Sequence, residues 1–314
     1  LDSDGGIIWT RSVQVSWAAL TSIADVDLDG EAEIVISGST IDGPSMLYCF
    51  EGDGTLRWTA EVLATGSAQI SMAAIDDLNN DAYPEIVVFS NCFDDTRDSL
   101  YAFRDEGTSA RVVWTAKADD WMGASATAPV ICDLNGDGEK EVVWEGTEYL
   151  RIYGGSDGRV IYENPDFHCA TTQEHPAIAD VDGDGRAEIV APYKDTGVAV
   201  LRCDDWTWCR NQFSSYTYHI TNINDNLTIP RIEPNHWETH NSWLAQASAQ
   251  MHDVGVVSID SPPDTVYVGS SHPVLVRVAN FGNYPETFDV EYSLAYGGTP
   301  VWVDTVPVNS LVAR

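Results

Sequence analysis

The amino-acid sequence predicts an all-β protein in which one structural unit is repeated, and two observations carry this prediction. A nine-residue acidic pattern begins at positions 25, 77, 133 and 180, and each copy runs directly into a short stretch of strand-forming apolar residues. From residue 253 onward the acidic pattern is absent, and apolar and polar residues alternate with period two, as in half-buried strands. Internal repeats of roughly 20–50 residues or slightly more are typical of propellers and solenoids.

The acidic pattern is Asp-x-Asp/Asn-x-Asp-Gly/Ala-x-x-Glu, which places oxygen side chains at loop positions 1, 3, 5 and 9. Calcium takes about 6–8 oxygen ligands at about 2.3–2.6 Å, from carboxylates, carbonyls and water. Alternating side chains point to the inside of the loop, the main-chain carbonyl of position 7 can supply a further ligand, and the glutamate closes the cage. An EF-hand places its closing glutamate at position 12 between helices, so this pattern predicts a strand–loop–strand calcium site instead.

Four such loops predict up to four bound Ca2+ ions. One acidic loop alone could be a solvated turn, whereas four copies in register favour a cation. The second copy departs from the pattern, because Ala82 stands where the other copies have glycine. The predicted ligand residues, with the position-7 residues contributing their carbonyls, are Asp25, Asp27, Asp29, Glu31, Glu33, Asp77, Asn79, Asp81, Tyr83, Glu85, Asp133, Asn135, Asp137, Glu139, Glu141, Asp180, Asp182, Asp184, Arg186 and Glu188.

The charge balance disfavours one class of partner and favours one compartment. The 314 residues include 16 Lys and Arg against 49 Asp and Glu, giving a formal net charge of −33. Nucleic acid is disfavoured as a partner, because binding a polyanion requires a basic face. An acidic protein with calcium loops fits an extracellular or cell-surface location, where calcium is abundant. The sequence has no stretch of about 20 apolar residues, so no membrane span is expected.

Each repeat has the composition of one propeller blade of four short strands. An apolar strand precedes the acidic loop, a second strand follows it, and a Gly/Asp turn joins two more strands in a hairpin. Residues 1–10 match the hairpin end of a later repeat, so they either complete the last blade or belong to earlier blades. We expect about five blades in a propeller domain over residues 1–252.

The last of these blades is expected to be degenerate. Asn222, Asn224 and Asn226 occupy the ligand positions, and three neutral amides should bind Ca2+ poorly. Their side chains are expected to hold the turn by hydrogen bonds, so residues 219–252 are interpreted as a degenerate blade or connector. Asn226 also begins an N-glycosylation sequon, Asn226-Leu227-Thr228.

Histidines and cysteines offer alternatives that the sequence leaves open. His236-Trp237-Glu238-Thr239-His240 resembles a zinc-protease helix, but its glutamate is third rather than second in the five residues. Its two histidines could still lie one turn apart on a helix and bind a metal, or they could be packing or surface histidines. The six cysteines are compatible with disulfides in an exported protein, and Cys203 and Cys209 could bridge locally.

The period-two segment predicts a second domain, a small Ig-like β-sandwich over residues 253–314. Its strand-like stretches are 254–259, 266–268, 274–280 and 288–294, separated by Pro- and Gly-containing turns. A complete Ig-like fold has about 100 residues, so this domain is expected to be incomplete or to be completed by a neighbour.

The four acidic loops resemble FG-GAP/VCBS repeats, the calcium-loop propeller blades also found in integrin α-subunits. The resemblance covers roughly residues 1–230 and implies Ca2+ ligands at loop positions 1, 3, 5, 7 and 9, with position 7 contributing its main chain. The segment from Asp253 resembles the CARDB-type adhesion modules of bacterial surface proteins. Together the two resemblances imply a large secreted protein of bacteria.

These features favour a non-enzymatic, calcium-stabilised structural or adhesion protein outside the cell. Its expected partner is a glycan or protein of a cell surface, or further copies of itself in a filament, because an unpaired strand edge invites strand addition. The alternatives are a polysaccharide lyase or hydrolase, by analogy with other calcium-loop propellers, and a glycan-binding lectin. No Gly-x-Ser-x-Gly, His-Glu-x-x-His or phosphate-loop motif supports an enzyme.

Overall fold

The computed structural model contains almost exclusively β-structure, which confirms the predicted all-β fold class. The chain divides into two compact units, Leu1–Ser248 and Ala249–Arg314. Within the described stretches, no helix is long and apolar enough to cross a membrane. The structure describes residues 5–14, 20–39, 43–63, 68–92, 99–118, 127–168, 175–194, 197–247, 254–262, 271–280, 286–296 and 299–311.

The first unit contains four antiparallel sheets, one for each acidic loop. Sheet 1 consists of β1–β4, sheet 2 of β5–β9, sheet 3 of β10–β13 and sheet 4 of β14–β16; consecutive strands pair, except that β5 and β6 both pair with β7. The strands are β1 (Thr21–Ala24), β2 (Glu33–Ser39), β3 (Ser45–Phe50), β4 (Leu56–Leu63), β5 (Ala68–Ile70), β6 (Ala74–Asp76), β7 (Glu85–Cys92), β8 (Ser99–Asp105), β9 (Ala110–Lys117), β10 (Val130–Cys132), β11 (Glu141–Glu145), β12 (Leu150–Gly154), β13 (Val160–Asn164), β14 (Ala177–Ala179), β15 (Glu188–Tyr193) and β16 (Gly197–Arg202).

The acidic loops occupy the same place in all four sheets. Loops 1 to 4 are residues 25–33, 77–85, 133–141 and 180–188. Each loop follows a short strand, called here the first strand of its repeat (β1, β6, β10 or β14), and ends at the glutamate that begins the next strand. The strand after the loop is apolar because it is buried: Ile86, Val87 and Val88 of β7 have no solvent exposure. A continuous apolar run is what a strand covered on both faces requires.

The sheets pack against their sequence neighbours through their first strands. β1 contacts β6, β6 contacts β10, and β10 contacts β14. Small side chains permit this approach, and the buried Ser22 hydroxyl donates to the Ala73 carbonyl across sheets 1 and 2 at 2.7 Å. One apolar cluster extends over sheets 1 to 3, and a second joins sheets 3 and 4.

Tryptophans join sheets 1, 2 and 3 to the segment that precedes each of them. Trp58 of β4 donates its indole N–H to Asp105 in sheet 2, and Trp114 of β9 donates to the Gly155 carbonyl in sheet 3 at 2.6 Å. Trp9 makes the equivalent contact with the Gly52 carbonyl of sheet 1 at 2.9 Å. Trp9 thus takes the place that a preceding repeat would supply, in agreement with the similarity of residues 1–10 to a hairpin end; residues 1–4 lie outside the described residues.

Residues 236–246, the crossing segment, connect the four sheets through one equivalent backbone position. That position is an isoleucine two residues before the first aspartate of each loop. His236 Nε2 lies 2.8 Å from the Ile23 carbonyl. Trp243 exchanges two main-chain hydrogen bonds with Ile75, at 2.8 and 2.9 Å. The equivalent positions of sheets 3 and 4 are Ile131 and Ile178.

Gln246 completes this set of contacts at sheets 3 and 4. Its main-chain N–H donates to the Ile131 carbonyl at 2.8 Å, and its side-chain Nε2 donates to the Ile178 carbonyl at 2.6 Å. The same amide donates to the Gln212 carbonyl and accepts from the Tyr218 hydroxyl, each at 3.0 Å. The crossing segment therefore supplies hydrogen-bond partners for main-chain groups of the first strands that do not pair within their own sheets.

The expected fifth blade is not built from strands. The described part of residues 219–252 contains two short 3-10 helices, Ile220–Asn222 and His236–Glu238, and no named strand, so this stretch is a connector. The Asn-rich turn is held by side chains, with Asn224 Nδ2 donating to Thr228 Oγ1 at 2.9 Å. Asn226 at the sequon is exposed.

The structure decides between the alternatives left open for the histidines and for two of the cysteines. The zinc-like motif does not form a helix long enough to align His236 and His240, and His236 is buried against Trp243 with its Nε2 at the Ile23 carbonyl. Cys203 and Cys209 are free thiols rather than a local disulfide; Cys203 is exposed, and Cys209 packs in the cluster between sheets 3 and 4. Cys169 lies outside the described residues.

The second unit contains two antiparallel strand pairs among its described residues. The first pair is β17 (Val254–Ser261) with β18 (Leu275–Asn280), and the second is β19 (Glu286–Tyr296) with β20 (Thr299–Leu311). These strands include three of the four predicted stretches; the fourth, 266–268, lies outside the described residues. An Ig-like sandwich for this unit stays a prediction.

Replacing Gln246 by Ala is expected to destabilise the first unit by about 2–4 kcal/mol, because a buried group left without a partner costs about 1–3 kcal/mol. Urea unfolding followed by tryptophan fluorescence measures the change. The control is Gln14→Ala, which removes an exposed amide and should stay within about 0.5 kcal/mol of the parent protein. Equal stability of the two variants would contradict a connecting role for the crossing segment.

Candidate functional site

The four acidic loops share one hydrogen-bonding scheme. The closing glutamate accepts the main-chain N–H of loop position 2 through its Oε2 atom, at 2.8, 3.0, 2.8 and 2.9 Å in loops 1 to 4. The first aspartate accepts the N–H of position 6 through Oδ2, at 2.9, 2.7, 3.1 and 3.1 Å. Two carboxylates, one from each end of the loop, therefore fix the backbone of all four copies.

Position 6 requires a left-handed backbone. Gly30, Gly138 and Gly185 have φ values of 95°, 90° and 87°. Ala82 has the same conformation at 75°, although a side chain disfavours it. The reason for the turn is the hydrogen bond from this residue to the first aspartate. The sequence deviation at Ala82 thus changes local strain and leaves the loop path unchanged.

Loops 1 and 4 bring three carboxylates close enough to hold a metal ion. Their groups are Asp25, Asp27 and Asp29 in loop 1, and Asp180, Asp182 and Glu188 in loop 4, with ligand oxygens within 4.8 Å of one another in each group. Side chains of this type are the ligands that Ca2+ and other hard cations prefer.

The closing glutamates of these two loops provide the test of fit. Glu33 and Glu188 are buried, and each uses Oε2 for the loop hydrogen bond while its Oε1 atom is buried without a hydrogen-bond partner. A buried carboxylate oxygen without a donor is costly, and a cation would satisfy it. The residues of loops 1 and 4 therefore fit a bound Ca2+ ion.

Loops 2 and 3 differ at this same oxygen. In loop 3, Glu141 Oε1 accepts from the Asn135 side-chain amide at 3.1 Å. In loop 2, Glu85 Oε1 accepts from Arg104, which also contacts Asp81 at 2.7 Å. Both loops also contain three ligand carboxylates instead of four, because Asn occupies position 3. In both loops the Oε1 atom of the closing glutamate therefore already has a hydrogen-bond donor from the protein.

The position-7 residues take part in all four loops through their main-chain N–H groups, while the predicted role of their carbonyls as Ca2+ ligands stays a prediction. The N–H groups of Glu31, Tyr83, Glu139 and Arg186 donate to the position-5 aspartate at 2.9, 3.0, 2.9 and 2.9 Å. The side-chain oxygens of Asn79, Asp137 and Asp184 each accept a hydrogen bond from a main-chain N–H of their own loop. Of the four loops, loops 1 and 4 bring three carboxylates together with ligand oxygens within 4.8 Å of one another.

Burial disfavours negative charge on the loop carboxylates. Desolvation raises the pKa of Glu33 to about 8 and that of Glu141 to about 7, against a main-chain hydrogen bond that lowers each. Desolvation also raises the pKa of Glu85 and of Glu188. A cation beside these carboxylates would favour their charged forms, so metal binding and proton release are linked.

Arginines at three loops are the functional residues that the sequence pattern did not indicate. Arg57 contacts Asp27 at 2.6 Å and makes a two-point ion pair with Asp105 of the neighbouring sheet. Arg202 contacts Asp182 and Asp184 at 3.1 and 3.3 Å. Arg104 and Arg202 stand opposite the closing glutamates in the strand register. Only knowledge of that register could have identified them.

Ala82→Gly is expected to stabilise the protein by about 1 kcal/mol, because it relieves a left-handed conformation that costs about 1–2 kcal/mol for a residue with a side chain. Chemical denaturation measures the difference. Ala32→Gly in loop 1 is the matched control: Ala32 does not have a positive φ, so glycine there should destabilise by about 0.5–1 kcal/mol. Destabilisation by both substitutions would show that Ala82 is not strained.

The repeats that carry the acidic loops match a known protein family. Residues 25–88, 77–144 and 133–191 each match the model of the FG-GAP-like repeat, and together these matches span more than half of the chain. No curated protein sequence matches the chain.

The fold resembles that of a solved structure at low sequence identity. The crystal structure of the V. cholerae biofilm matrix protein Bap1 superposes with a TM-score of 0.54 and 14% identity, covering 77% of this chain and 66% of Bap1. The chain therefore spans slightly less than two thirds of Bap1. The exotype rhamnogalacturonan lyase YesX is similar at a TM-score of 0.41 and 18% identity, over 58% of this chain and 36% of the lyase, which carries no argument about function. The three matched repeats show that the chain belongs to the FG-GAP-like repeat family.

Proposed function

We propose that this protein is a calcium-stabilised, non-enzymatic component of a cell surface or an extracellular matrix. The observation that carries the calcium part is the pair of buried oxygens, Glu33 Oε1 and Glu188 Oε1, that lack a hydrogen-bond partner beside carboxylate clusters. Loops 1 and 4 are the calcium sites in this proposal. Loop 3 is a weaker site, because it has three carboxylates and its Glu141 accepts from Asn135.

Calcium has a structural role in this proposal. In each loop the first aspartate follows the first strand, and the closing glutamate begins the second strand. A cation held by both ends would connect the two strands across the loop and offset the repulsion among four carboxylates. An ion that binds only the folded chain stabilises it by mass action, about 2.7 kcal/mol at a concentration 100-fold above Kd.

The four sheets are proposed to be successive blades of a β-propeller. Support comes from the common strand order, the contacts among first strands, and the tryptophans that join sheet 1 to sheet 2 and sheet 2 to sheet 3. The innermost strands of a propeller surround a central channel. In this arrangement the crossing segment would lie on the inner strands of all four blades.

A non-enzymatic role is supported by this crossing segment. It forms hydrogen bonds with the same main-chain position in all four sheets, so the chain's own residues occupy this position of each first strand. The fold shared with Bap1, which is described as a biofilm matrix protein, supports a surface or matrix role. The net charge of −33 suits an exported, highly soluble protein.

The proposed partners are a glycan or protein of a surface, or another copy of the chain. Among the described residues, β16 pairs only with β15, and its outer edge is free of a further strand. Val198 and Val200 on β16 are 70% and 51% exposed. An exposed edge with apolar side chains supports strand addition by a partner, including assembly into a filament.

Asp182→Ala is expected to reduce the calcium-dependent stabilisation of the first unit, because it removes one ligand of loop 4. Thermal unfolding in millimolar Ca2+ and in EDTA measures this. In EDTA the variant should lose less than about 1 kcal/mol, the value of an exposed ion pair with Arg202. The control is Asp204→Ala, an exposed acid outside the loops. An equal loss with and without calcium would contradict the metal role.

Purified protein is expected to be retained on cell-surface or matrix polysaccharide, or on itself, in the presence of Ca2+ without cleaving it. Co-sedimentation with a panel of polysaccharides, together with an assay for new reducing ends and for unsaturated sugar products, measures both properties. Electron microscopy of the same samples detects filaments. Release of oligosaccharides would identify a lyase or hydrolase and overturn the non-enzymatic proposal.

A further inference from the structure

We infer that loop 2 binds no calcium and that the guanidinium of Arg104 takes the place of the cation there. This inference rests on the proposed binding of calcium by loops 1 and 4. In loop 2 an arginine, rather than a metal ion, would compensate the negative charge of the carboxylates. Sheet 2 would then keep its loop ordered whether or not calcium is present.

The contacts of Arg104 are those expected of a substitute cation. Its Nη2 atom contacts Asp81 Oδ2 at 2.7 Å and Glu85 Oε1 at hydrogen-bonding distance. Its guanidinium also lies over the Tyr83 ring, 5.7 Å from the ring centre. Positions 5, 7 and 9 of loop 2 therefore all contact the same charged group.

Arg104 supplies a donor to the oxygen that has no hydrogen-bond partner in loops 1 and 4. Glu85 is buried, and both of its oxygens have donors: Oε2 from the Leu78 N–H and Oε1 from Arg104. In loops 1 and 4 the equivalent Oε1 atoms of Glu33 and Glu188 have none. Hydrogen bonds between charged partners are roughly twice as strong as neutral ones, so this arrangement compensates the buried carboxylate without a metal.

Loop 4 shows that an arginine at this register position does not by itself fill the site. Arg202 stands opposite Glu188, as Arg104 stands opposite Glu85. The Arg202 side chain is 48% exposed and contacts Asp182 and Asp184. The Arg104 side chain is 18% exposed and reaches the closing glutamate. The difference lies in which loop oxygens the guanidinium contacts.

Arg104 competes with Ca2+ for the closing glutamate of loop 2, whereas the loop contacts of Arg57 and Arg202 are with aspartates. A calcium ion would need Asp81 and Glu85 oxygens at about 2.3–2.6 Å, and Arg104 holds one oxygen of each. Two cations sharing these oxygens would lie within a few ångströms of each other and repel strongly at low effective dielectric. Loop 2 also offers only three carboxylates, Asp77, Asp81 and Glu85, of which the guanidinium neutralises one charge.

The first experiment compares calcium stoichiometry in Glu85→Gln and Glu188→Gln by titration calorimetry of the full chain. Both variants keep an oxygen for the position-2 N–H and remove one charge from a closing residue. We expect Glu85→Gln to bind the same number of Ca2+ ions as the parent protein, and Glu188→Gln to bind one fewer. Loss of one ion in Glu85→Gln would overturn the assignment of Arg104. An unchanged number in Glu188→Gln would overturn the calcium site of loop 4 instead.

The second experiment measures hydrogen exchange of the loops in EDTA, and it does not depend on calcium binding. Arg104→Gln is expected to increase the exchange of residues 77–85 at least tenfold, because Asp81 and Glu85 lose their counter-charge. The matched variant Arg202→Gln should change the exchange of residues 180–188 by less than threefold, since its contacts are exposed. Unchanged exchange of loop 2 in Arg104→Gln would overturn the proposal.

Discussion

The fold of the first unit depends on how each acidic loop compensates its crowded carboxylates. Two of them, the first aspartate and the closing glutamate, are needed to fix the loop backbone through main-chain N–H groups. Once these side chains are in place and partly buried, their charges repel and their remaining oxygens need partners. The repeats differ at the Oε1 atom of the closing glutamate: it has no hydrogen-bond partner in loops 1 and 4, accepts from an amide in loop 3, and accepts from an arginine in loop 2.

The same need explains why the sheets are joined by charged groups as well as by apolar packing. Arg57 contacts loop 1 and forms a two-point ion pair with Asp105 in sheet 2. Lys140 of loop 3 contacts Asp76, the last residue of β6 in sheet 2. Each of these cations reaches from one repeat to the next. The charge of a loop therefore affects packing between sheets, because a substitution in the loop also alters an ion pair with the neighbouring sheet.

The crossing segment solves a different problem. The first strands are three or four residues long, and their free main-chain groups need hydrogen-bond partners. Residues 236–246 supply them at the equivalent isoleucine of each sheet, with main-chain atoms at Ile75 and Ile131 and with side chains at Ile23 and Ile178. One segment thus serves four repeats that have similar backbones and different side chains. Part of the stretch that was interpreted from sequence as a degenerate blade therefore connects the four sheets.

The sequence by itself determined the repeats, the all-β class and the position of every acidic loop, because these depend on local patterns. Asp, Asn and Gly at fixed spacing form the loop, and the β-branched residues after it form a strand. Residues 219–252 were harder, since their Asn-rich turn matches the local pattern although the described part of this stretch contains no named strand. Local similarity cannot report whether flanking residues pair with a sheet.

Only the tertiary structure decided which loops have an unsatisfied oxygen. Arg104 and Glu85 are neighbours through the register of β7 and β8, and Arg202 and Glu188 through that of β15 and β16. The sequence gives both pairs a glutamate and an arginine, yet only one arginine reaches its glutamate. That outcome depends on burial and on the path of a long side chain, and both are set by packing between strands that are distant in sequence.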